Sequence, residues 1–409
     1  EKSCAVRTTV LNLLEKEKLV PSDNAYDLLN IAIGVYAVDQ MISRKIDGFQ
    51  KWSRHFILHI PVHSVTEWNN VKNDFEKLLS FLSGDKWEVI FREQKNRIVP
   101  DKELFSNPKG IQVVSLFSGG LDSFIGAVDL LEKGKKVAFV SHYKGGTAEK
   151  FSQDELYSIL EKENKKDSFR NLQFFVQPNQ DKLSTKEPSS RCRSLLFICL
   201  GIAVANSLGN DINLNVPENG FISLNVPLTH TRLSSHSTRT THPYYMQLFN
   251  KILDQLGINN IIFNPYQFCT KGEMIKNCLN QEFFKSNYKK SISCAHPDIS
   301  RWSGGSPNQP CGYCTPCIIR KAALNKAGLN ETGYAVNIRR NPPDVTTAKG
   351  RDLRAFKLAI KRFEKMNKFS ILMQVLSSGP IPFKSKNVLD DFIGVYSKGL
   401  TEVAEFLKN

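Results

Sequence analysis

The feature that most constrains this chain is a glycine-rich loop between an apolar strand and an apolar helix. Residues 111–117 form an apolar run that predicts a buried strand. Ser-Gly-Gly-Leu-Asp-Ser follows at residues 118–123, and apolar side chains at helical spacing continue to residue 131. Adjacent glycines allow a tight turn and close approach of a ligand, and the free N–H groups of a helix N-terminus attract anions. We therefore predict that residues 118–123, here termed the glycine loop, bind phosphate.

The region around this loop alternates strands and helices. Apolar strands are predicted over residues 137–141, 172–176 and 261–264, and helices over residues 153–164 and 194–208. Strands separated by helices form a mostly parallel sheet, which binds ligands at the carboxyl ends of its strands. We expect an α/β, Rossmann-like parallel-sheet domain over residues 111–330.

The side chains of the glycine loop suit a nucleotide that carries a metal ion. Ser118 and Ser123 can donate hydroxyl hydrogen bonds to phosphate oxygens, and Asp122 suits Mg²⁺ better than bare phosphate. The loop is not a Walker A motif, because no Gly-Lys-Ser/Thr follows at the right spacing. The alternative is a glycine turn that only opens a helix.

Two arginines, Arg191 and Arg193, precede the predicted helix at residues 194–208. Arginine at a helix start can bind phosphate through two parallel hydrogen bonds and offset the charge of a leaving pyrophosphate. Surface arginines without a ligand are the alternative.

Four cysteines have the spacing of a metal site. Sixteen residues separate Cys294 from Cys311, and two-residue gaps lead from there to Cys314 and Cys317. Four thiolates with no open position predict a structural, tetrahedral zinc site, with an iron–sulfur cluster as the alternative. The other cysteines are interpreted as core or loop thiols, although a reactive thiol at Cys192 is an alternative.

Composition limits the class of protein. The chain has 409 residues, enough for two or three domains. It has no apolar run near the roughly 18 residues of a membrane helix and no signal peptide, so we expect a cytoplasmic protein with no membrane contact. Residues 1–110 are nearly neutral, and almost all of the net charge of +15 lies beyond them. That balance fits either nucleic acid or a site for phosphates and anionic substrates.

The chain divides into three predicted parts. Residues 1–110 form an α+β module, with helices over 24–43 and 71–82 and strands over 54–62 and 87–91, interpreted as a partner-docking module. Residues 111–330 hold the glycine loop and the cysteines. Residues 331–409 form a basic helical segment, including a helix over 350–369 and a final helix over 388–407. Residues 339–368 carry ten basic and three acidic side chains, which indicates either a solvated helix face or a surface for an anionic partner or RNA.

The motifs together resemble a known family. The glycine loop resembles the SGGxDS signature of PP-loop ATP pyrophosphatases, whose fold is the adenine nucleotide alpha hydrolase-like (HUP) type. With Thr-Lys-Gly-Glu-Met-Ile at residues 270–275 and the terminal cysteine run, the chain is similar to the QueC family of 7-cyano-7-deazaguanine synthases. The resemblance implies ATP, Mg²⁺ and Zn²⁺ as cofactors. It also implies ATP-dependent adenylation of the carboxylate of 7-carboxy-7-deazaguanine, followed by attack of an amine.

The candidate site residues fall into three sets. The glycine loop, Arg193 and the four cysteines match the family by position, whereas Arg191, Glu218 and Arg239 are proposed from their chemistry. A solvated loop carboxylate is the alternative for Glu218. The nucleotide-binding set is Ser118, Gly119, Gly120, Leu121, Asp122, Ser123, Arg191, Glu218 and Arg239. The catalytic set is Ser118, Asp122, Ser123, Arg193 and Lys271, and the zinc set is Cys294, Cys311, Cys314 and Cys317. Residues 217–220 and 237–243 lie where the family has its deazapurine-binding loop. There Glu218 can accept from the guanine edge, and Arg239 or His242 can meet the substrate carboxylate or the α-phosphate.

The longer layout is similar to QueC-like proteins of bacterial anti-phage systems, above all those of the Qat type. That resemblance implies transfer of the deazaguanine to a partner protein instead of ammonia. A protein N-terminus, with a pKa of about 7.7–8, supplies more neutral amine than a lysine near 10.4, so a partner's N-terminal amine is the predicted acceptor. The alternatives are free 7-cyano-7-deazaguanine synthesis from ammonia, a tRNA-modifying PP-loop enzyme that binds RNA, and a non-catalytic scaffold subunit.

Overall fold

A computed structural model of the chain describes residues 6–94, 107, 109–145, 147–165, 167–179, 185–229, 239–297, 308–330, 333–382 and 385–408. Its strands, in chain order, are β1 (Val6–Thr8), β2 (His55–Val62), β3 (Lys86–Glu93), β4 (Val113–Leu116), β5 (Val137–Tyr143), β6 (Phe169–Pro178), β7 (Asn213–Asn215) and β8 (Ile262–Phe263).

The described helices are α1 (Val10–Lys16), α2 (Asp23–Met41), α3 (Arg44–Asp47), α4 (Val65–Ser83), α5 (Leu121–Glu132), α6 (Ala148–Glu163), α7 (Arg193–Leu208), α8 (Gly220–Leu224), α9 (Pro243–Gln255), α10 (Lys271–Asn277), α11 (Gln281–Asn287), α12 (Thr315–Lys326), α13 (Arg351–Phe363), α14 (Lys368–Leu376) and α15 (Lys386–Lys408). Among them, none has both the length and the apolarity that crossing a bilayer requires.

The predicted α/β class with a mostly parallel sheet is confirmed. Six strands lie in the order β1-β6-β5-β4-β7-β8, and only the β1–β6 pair is antiparallel. From β4 the chain proceeds outward to β5 and β6, and it then returns to place β7 and β8 on the other side of β4. The strand order therefore reverses between β4 and β7, the point at which open parallel sheets bind ligands.

Successive side chains of the central strands point to opposite faces of the sheet, and an apolar core covers each face. In β4 and β5, Val114 and Ala138 belong to a core that includes α2, α7 and α9, whereas Val113 and Val137 belong to a core that includes α5, α6 and α10. A side-chain period of two places successive residues on opposite faces, which is why strands covered on both faces are apolar throughout. A third core surrounds α12, α13 and α15.

The N-terminal region is packed into the main body, which the sequence did not indicate. Strand β1 pairs with β6 at the edge of the larger sheet, α2 contacts α7, and residues 10–91 share one apolar core with the sheet. The predicted strands β2 and β3 form a separate two-stranded parallel sheet with α4 between them in the chain. Residues 1–110 thus have the expected α+β composition, but their described part is not packed as an independent unit.

One predicted helix is wrong. The continuous helix expected over residues 350–369 is two helices, α13 and α14, separated at residues 364–367. The Asn367 side chain accepts a hydrogen bond from the Ser370 backbone N–H at 2.9 Å and so begins a new helix. Asparagine favours this N-cap position over a helix interior because its side chain competes for backbone N–H groups.

Candidate functional site

The glycine loop lies at the carboxyl end of β4, where the strand order reverses. Helix α5 begins at Leu121, directly after the two glycines. Gly119 has φ of +81°, and a Cβ there would lie 3.2 Å from both Ser152 Oγ and Gln153 Cγ. The positive φ and the close neighbours both favour glycine at this buried position, and they fix the tight turn that leads into α5.

The polar groups of the loop converge on this turn. Ser118 Oγ lies 3.2 Å from Ser123 Oγ and accepts from the Gly120 backbone N–H at 3.2 Å. The Gln153 amide donates to the Ser118 carbonyl at 3.3 Å, and its Oε1 atom is buried with no hydrogen-bond partner among the described residues. A buried acceptor without a partner is costly unless a ligand or water pairs with it. The two hydroxyls and the α5 N-terminus fit an anionic ligand, whereas Gln153 Oε1 can only accept and needs a donor from a water or a ligand.

A buried ion pair lies at the first turn of α5. Asp122 Oδ1 is 2.5 Å from Lys271 Nζ, and both side chains are less than a tenth exposed. The other oxygen, Asp122 Oδ2, accepts from the backbone N–H and the side-chain amide of Asn219, at 3.2 and 2.7 Å. The pair joins the loop after β4, the segment after β7 and helix α10 after β8. The sequence analysis assigned roles to Asp122 and Lys271. It gave none to Asn219, because no recognised motif includes this residue in a contact with Asp122.

Glu218 lies close to this pair and carries a perturbed carboxyl group. Burial raises its pKa, the charge of Asp122 raises it further and Lys271 lowers it, with a result of about 8. At neutral pH the group is therefore mostly protonated, so it offers one hydrogen-bond donor besides its acceptor sites. Two carboxyl groups and one ammonium thus meet beside the glycine loop, an arrangement that can take up a cation when Glu218 ionises.

Arg193 reaches the loop indirectly. At the start of α7 it donates to Glu149 at 2.7 Å and to His142 Nδ1 at 3.3 Å. Burial and the Arg193 charge lower the pKa of His142 to about 3, so this imidazole is neutral and can accept. Gln153 donates to the carbonyls of both His142 and Ser118. The predicted catalytic arginine is therefore held in a partly buried network, and His142 and Gln153 connect it to the loop.

Arg191 and Arg239 lie elsewhere. Arg191 donates to the Ser83 carbonyl at 2.6 Å, and Arg239 donates to the Phe81 carbonyl at 3.1 Å and stacks over the Phe81 ring. Both carbonyls are in the last turn of α4, where unpaired acceptors and the helix dipole attract cations. These contacts hold both guanidinium groups at the end of α4, and the nucleotide-binding role of the two arginines stays a prediction. Of the predicted 237–243 segment, Ser237 and Thr238 lie outside the described residues.

The four predicted cysteines come together. The Sγ atoms of Cys294, Cys311, Cys314 and Cys317 lie within 4.8 Å of one another, with 3.9 Å between Cys294 and Cys314 and between Cys311 and Cys317. Four sulfurs about 2.3 Å from one tetrahedral ion are about 3.8 Å apart. The buried cluster thus fits a metal ion such as zinc. A multi-iron cluster, which must place iron and sulfide atoms between the cysteines, needs wider spacing.

The segment before Cys294 connects the cysteine cluster to the glycine loop. The Ile292 N–H donates to the Gly119 carbonyl at 2.9 Å, and Ser293 Oγ accepts from the Leu121 N–H at 3.1 Å. Ser152 Oγ donates to the Gly119 and Lys290 carbonyls, each at 2.8 Å. Residues 290–294 therefore hold the loop from one side. Sequence reasoning missed Ser293, whose only signal is its place next to a metal-site cysteine.

The C-terminal helix α15 positions Lys271. Glu402 accepts a short hydrogen bond from Thr270 Oγ1 at the start of α10, and a Cβ at Gly272 would lie 2.6 Å from Glu402 Oε1. Lys398, also on α15, pairs with Glu273 at 2.7 Å. The final helix thus fixes the helix that carries the candidate lysine.

Comparison with known proteins gives no family assignment: no protein-family model matches the chain, and no curated protein matches it.

Proposed function

We propose that the chain is an ATP-dependent, AMP-forming ligase that activates a carboxylate as an acyl-adenylate and transfers the acyl group to an amine. The observation that carries the proposal is the glycine loop at the strand-order reversal, with the buried Asp122–Lys271 pair and Glu218 beside it. This arrangement offers backbone N–H groups and hydroxyls for phosphate, a fixed ammonium group for negative charge, and two carboxyl groups for the cation of the nucleotide.

The reaction has two balanced steps. A carboxylate oxygen attacks the α-phosphorus of ATP, the bond to pyrophosphate breaks, and an acyl-adenylate forms. A neutral amine then attacks the acyl carbon, the bond to AMP breaks, and the amine nitrogen loses a proton as the amide forms. The α5 N-terminus with Ser118 and Ser123 would bind the polyphosphate, and Lys271 would stabilise the charge that develops on pyrophosphate.

Magnesium would be held by Asp122 and Glu218. The cation would neutralise charge on the polyphosphate, and its binding favours the ionised form of Glu218. Arg193, held by Glu149, would act as a positioning residue, because it touches the loop only through His142 and Gln153.

The resemblance to the QueC family implies 7-carboxy-7-deazaguanine as the acid, and the resemblance to the Qat-type proteins implies a partner protein as the acceptor. The proposed nucleophile is the N-terminal amine of that partner. An α-amino group has a pKa near 8, so a substantial fraction is neutral and nucleophilic at physiological pH. The proposed site does not depend on which amine attacks, because the adenylation residues act before the amine does.

The test supplies the full chain with Mg-ATP, 7-carboxy-7-deazaguanine and either ammonia or the protein of the neighbouring gene, and it measures AMP and intact masses. The proposal expects AMP together with a deazaguanine-sized mass gain on the partner's N-terminus. AMP with only a small-molecule amide or nitrile would support the proposed adenylation site. It would refute a protein as the acceptor. An absence of AMP in every reaction would refute the ligase.

A further inference from the structure

Helix α13 presents a row of unpaired lysines to solvent. Lys357, Lys361 and Lys365 are exposed at four-residue intervals along α13 and the turn that follows it. We call them the lysine row. Four helical residues advance about 6 Å, and they return to nearly the same side of the helix. The row is therefore a line of three positive charges on one face.

Neighbouring acidic groups do not neutralise this row. Within the described part of the chain, none of its three lysines makes an ion pair, whereas nearby Lys368 pairs with Asp390 and Lys408 pairs with Glu364. The acid at the start of α13, Asp352, faces inward and accepts from the Thr315 backbone and hydroxyl at 2.8 and 2.9 Å. The positive potential of the row is thus left for an external anion.

Exposed apolar side chains lie near these lysines in sequence. Leu358 lies between Lys357 and Lys361 in the chain and is 48% exposed, and Phe369, four residues after Lys365 at the start of α14, is 67% exposed. The opposite side of α13 is buried, with Leu353 and Phe356 in the core around the cysteine helix. Neither Leu358 nor Phe369 therefore contributes a mostly buried side chain to this core.

We propose that this surface binds a single-stranded nucleic acid, with phosphates along the lysine row and a base stacked on Phe369. A linear row of unpaired cations suits a polyanion with regularly spaced charges, and an exposed aromatic ring next to cations suits unstacked bases. The site is separate from the proposed adenylation site, since none of its residues contacts the glycine loop, the Asp122–Lys271 pair or the cysteines.

The test is fluorescence anisotropy of the full chain with a labelled 12-nucleotide single-stranded RNA at 50–200 mM salt. For single strands each phosphate contact contributes about −0.7 to the slope of log K against log salt. The variant K357Q/K361Q/K365Q should therefore bind more weakly, and its slope of log K against log salt should be less negative by about 2. Phe369→Ala should weaken binding roughly five- to 150-fold and leave the slope unchanged.

The matched control is K133Q/K135Q/K136Q, which removes the same charge from exposed lysines after α5 and should leave both affinity and slope nearly unchanged. Equal losses in the two triple variants would show non-specific attraction to a basic protein and overturn the proposal. Binding of poly-glutamate that depends on the lysine row but not on Phe369 would assign the surface to an acidic protein, which also overturns it. So would the absence of salt-dependent RNA binding.

Discussion

At the scale of single residues, the buried Asp122–Lys271 pair is central to both the fold and the proposed nucleotide site. Asp122 satisfies both carboxylate oxygens, one with Lys271 and the other with Asn219. A buried charge that loses its partner is costly, whereas a buried pair replaced by neutral groups of similar size can be nearly neutral in stability. The pair thus couples the fold to the proposed chemistry.

Removing one member of the pair should destabilise the protein and abolish nucleotide binding. We expect Asp122→Ala to lower the free energy of unfolding by about 3–5 kcal/mol, because Lys271 is left charged and buried. Chemical denaturation measures this loss, and calorimetric titration with Mg-ATP measures the binding. The double variant D122N/K271M should recover much of the stability but bind no Mg-ATP. Normal nucleotide affinity in that variant would place the nucleotide elsewhere.

Glu218 should make stability fall as pH rises. Its pKa is about 8 in the folded protein and near 4.3 in an unfolded chain, so between these values the folded state holds a proton that the unfolded state has lost. The stabilisation is complete below the unfolded pKa and is lost as pH rises through the folded pKa, with a slope that approaches about 1.4 kcal/mol per pH unit.

Glu218→Gln, which mimics the protonated form, should remove this pH dependence and leave the variant more stable than the wild type at pH 9. Urea denaturation at pH 5, 7 and 9 measures the difference. Parallel pH profiles for the two proteins would mean that Glu218 is ionised in the folded state throughout this range.

At the scale of elements, the segment from Lys290 to Cys294 joins the cysteine cluster to the glycine loop through hydrogen bonds. The long elements of the sheet domain were predictable from sequence, because α7 and the central strands are continuous apolar runs that are buried on all sides. Strand β1 was missed since three residues carry no period, and the break between α13 and α14 was missed since one Asn367 cap outweighed a continuing amphipathic pattern. Contacts such as Leu121–Ser293 join residues far apart in sequence and have no local signal.

Loss of the cysteine cluster should therefore loosen the glycine loop. We expect Cys314→Ser to lose bound metal, measured by elemental analysis, and to speed amide hydrogen exchange at residues 119–121. Cys269→Ser, at a half-buried cysteine outside the cluster, is the control and should change neither. Metal loss without faster exchange in the glycine loop would mean that residues 290–294 keep their position without the metal.

At the scale of the whole molecule, a network of buried ion pairs connects the N-terminal region to the sheet domain. Arg54 pairs with Asp39 and Asp85 at 2.6 and 2.7 Å, and Arg44 pairs with Asp85 and, at 3.3 Å, with Glu187 in the segment before α7. Composition placed a boundary near residue 110, but such contacts cannot be inferred from composition. The cysteine site was predictable because its ligands cluster in sequence, whereas the hydrogen-bond partners of Arg191 and Arg239 were not, because the partners of an arginine are set by tertiary packing.

Asp85→Ala should cost about 3–5 kcal/mol of unfolding free energy, because it leaves two buried arginines short of a partner. Glu88→Ala, at an exposed pair with Lys86 on the same small sheet, should cost far less than Asp85→Ala, because solvent screens exposed ion pairs. Both variants and the wild type should unfold in one transition, since the N-terminal region and the larger sheet share a core. A separate early transition confined to residues 6–94 would show that this region folds alone.

The most direct test of the central claim follows oxygen from the acid to the nucleotide. With 7-carboxy-7-deazaguanine labelled with ¹⁸O in its carboxylate, formation of an acyl-adenylate and its capture by an amine must leave one ¹⁸O atom in the phosphate of AMP. Mass spectrometry of the AMP should show one labelled oxygen per molecule in the wild type and no AMP with D122N/K271M. Unlabelled AMP, or ADP and phosphate in its place, would contradict carboxylate adenylation at the glycine loop.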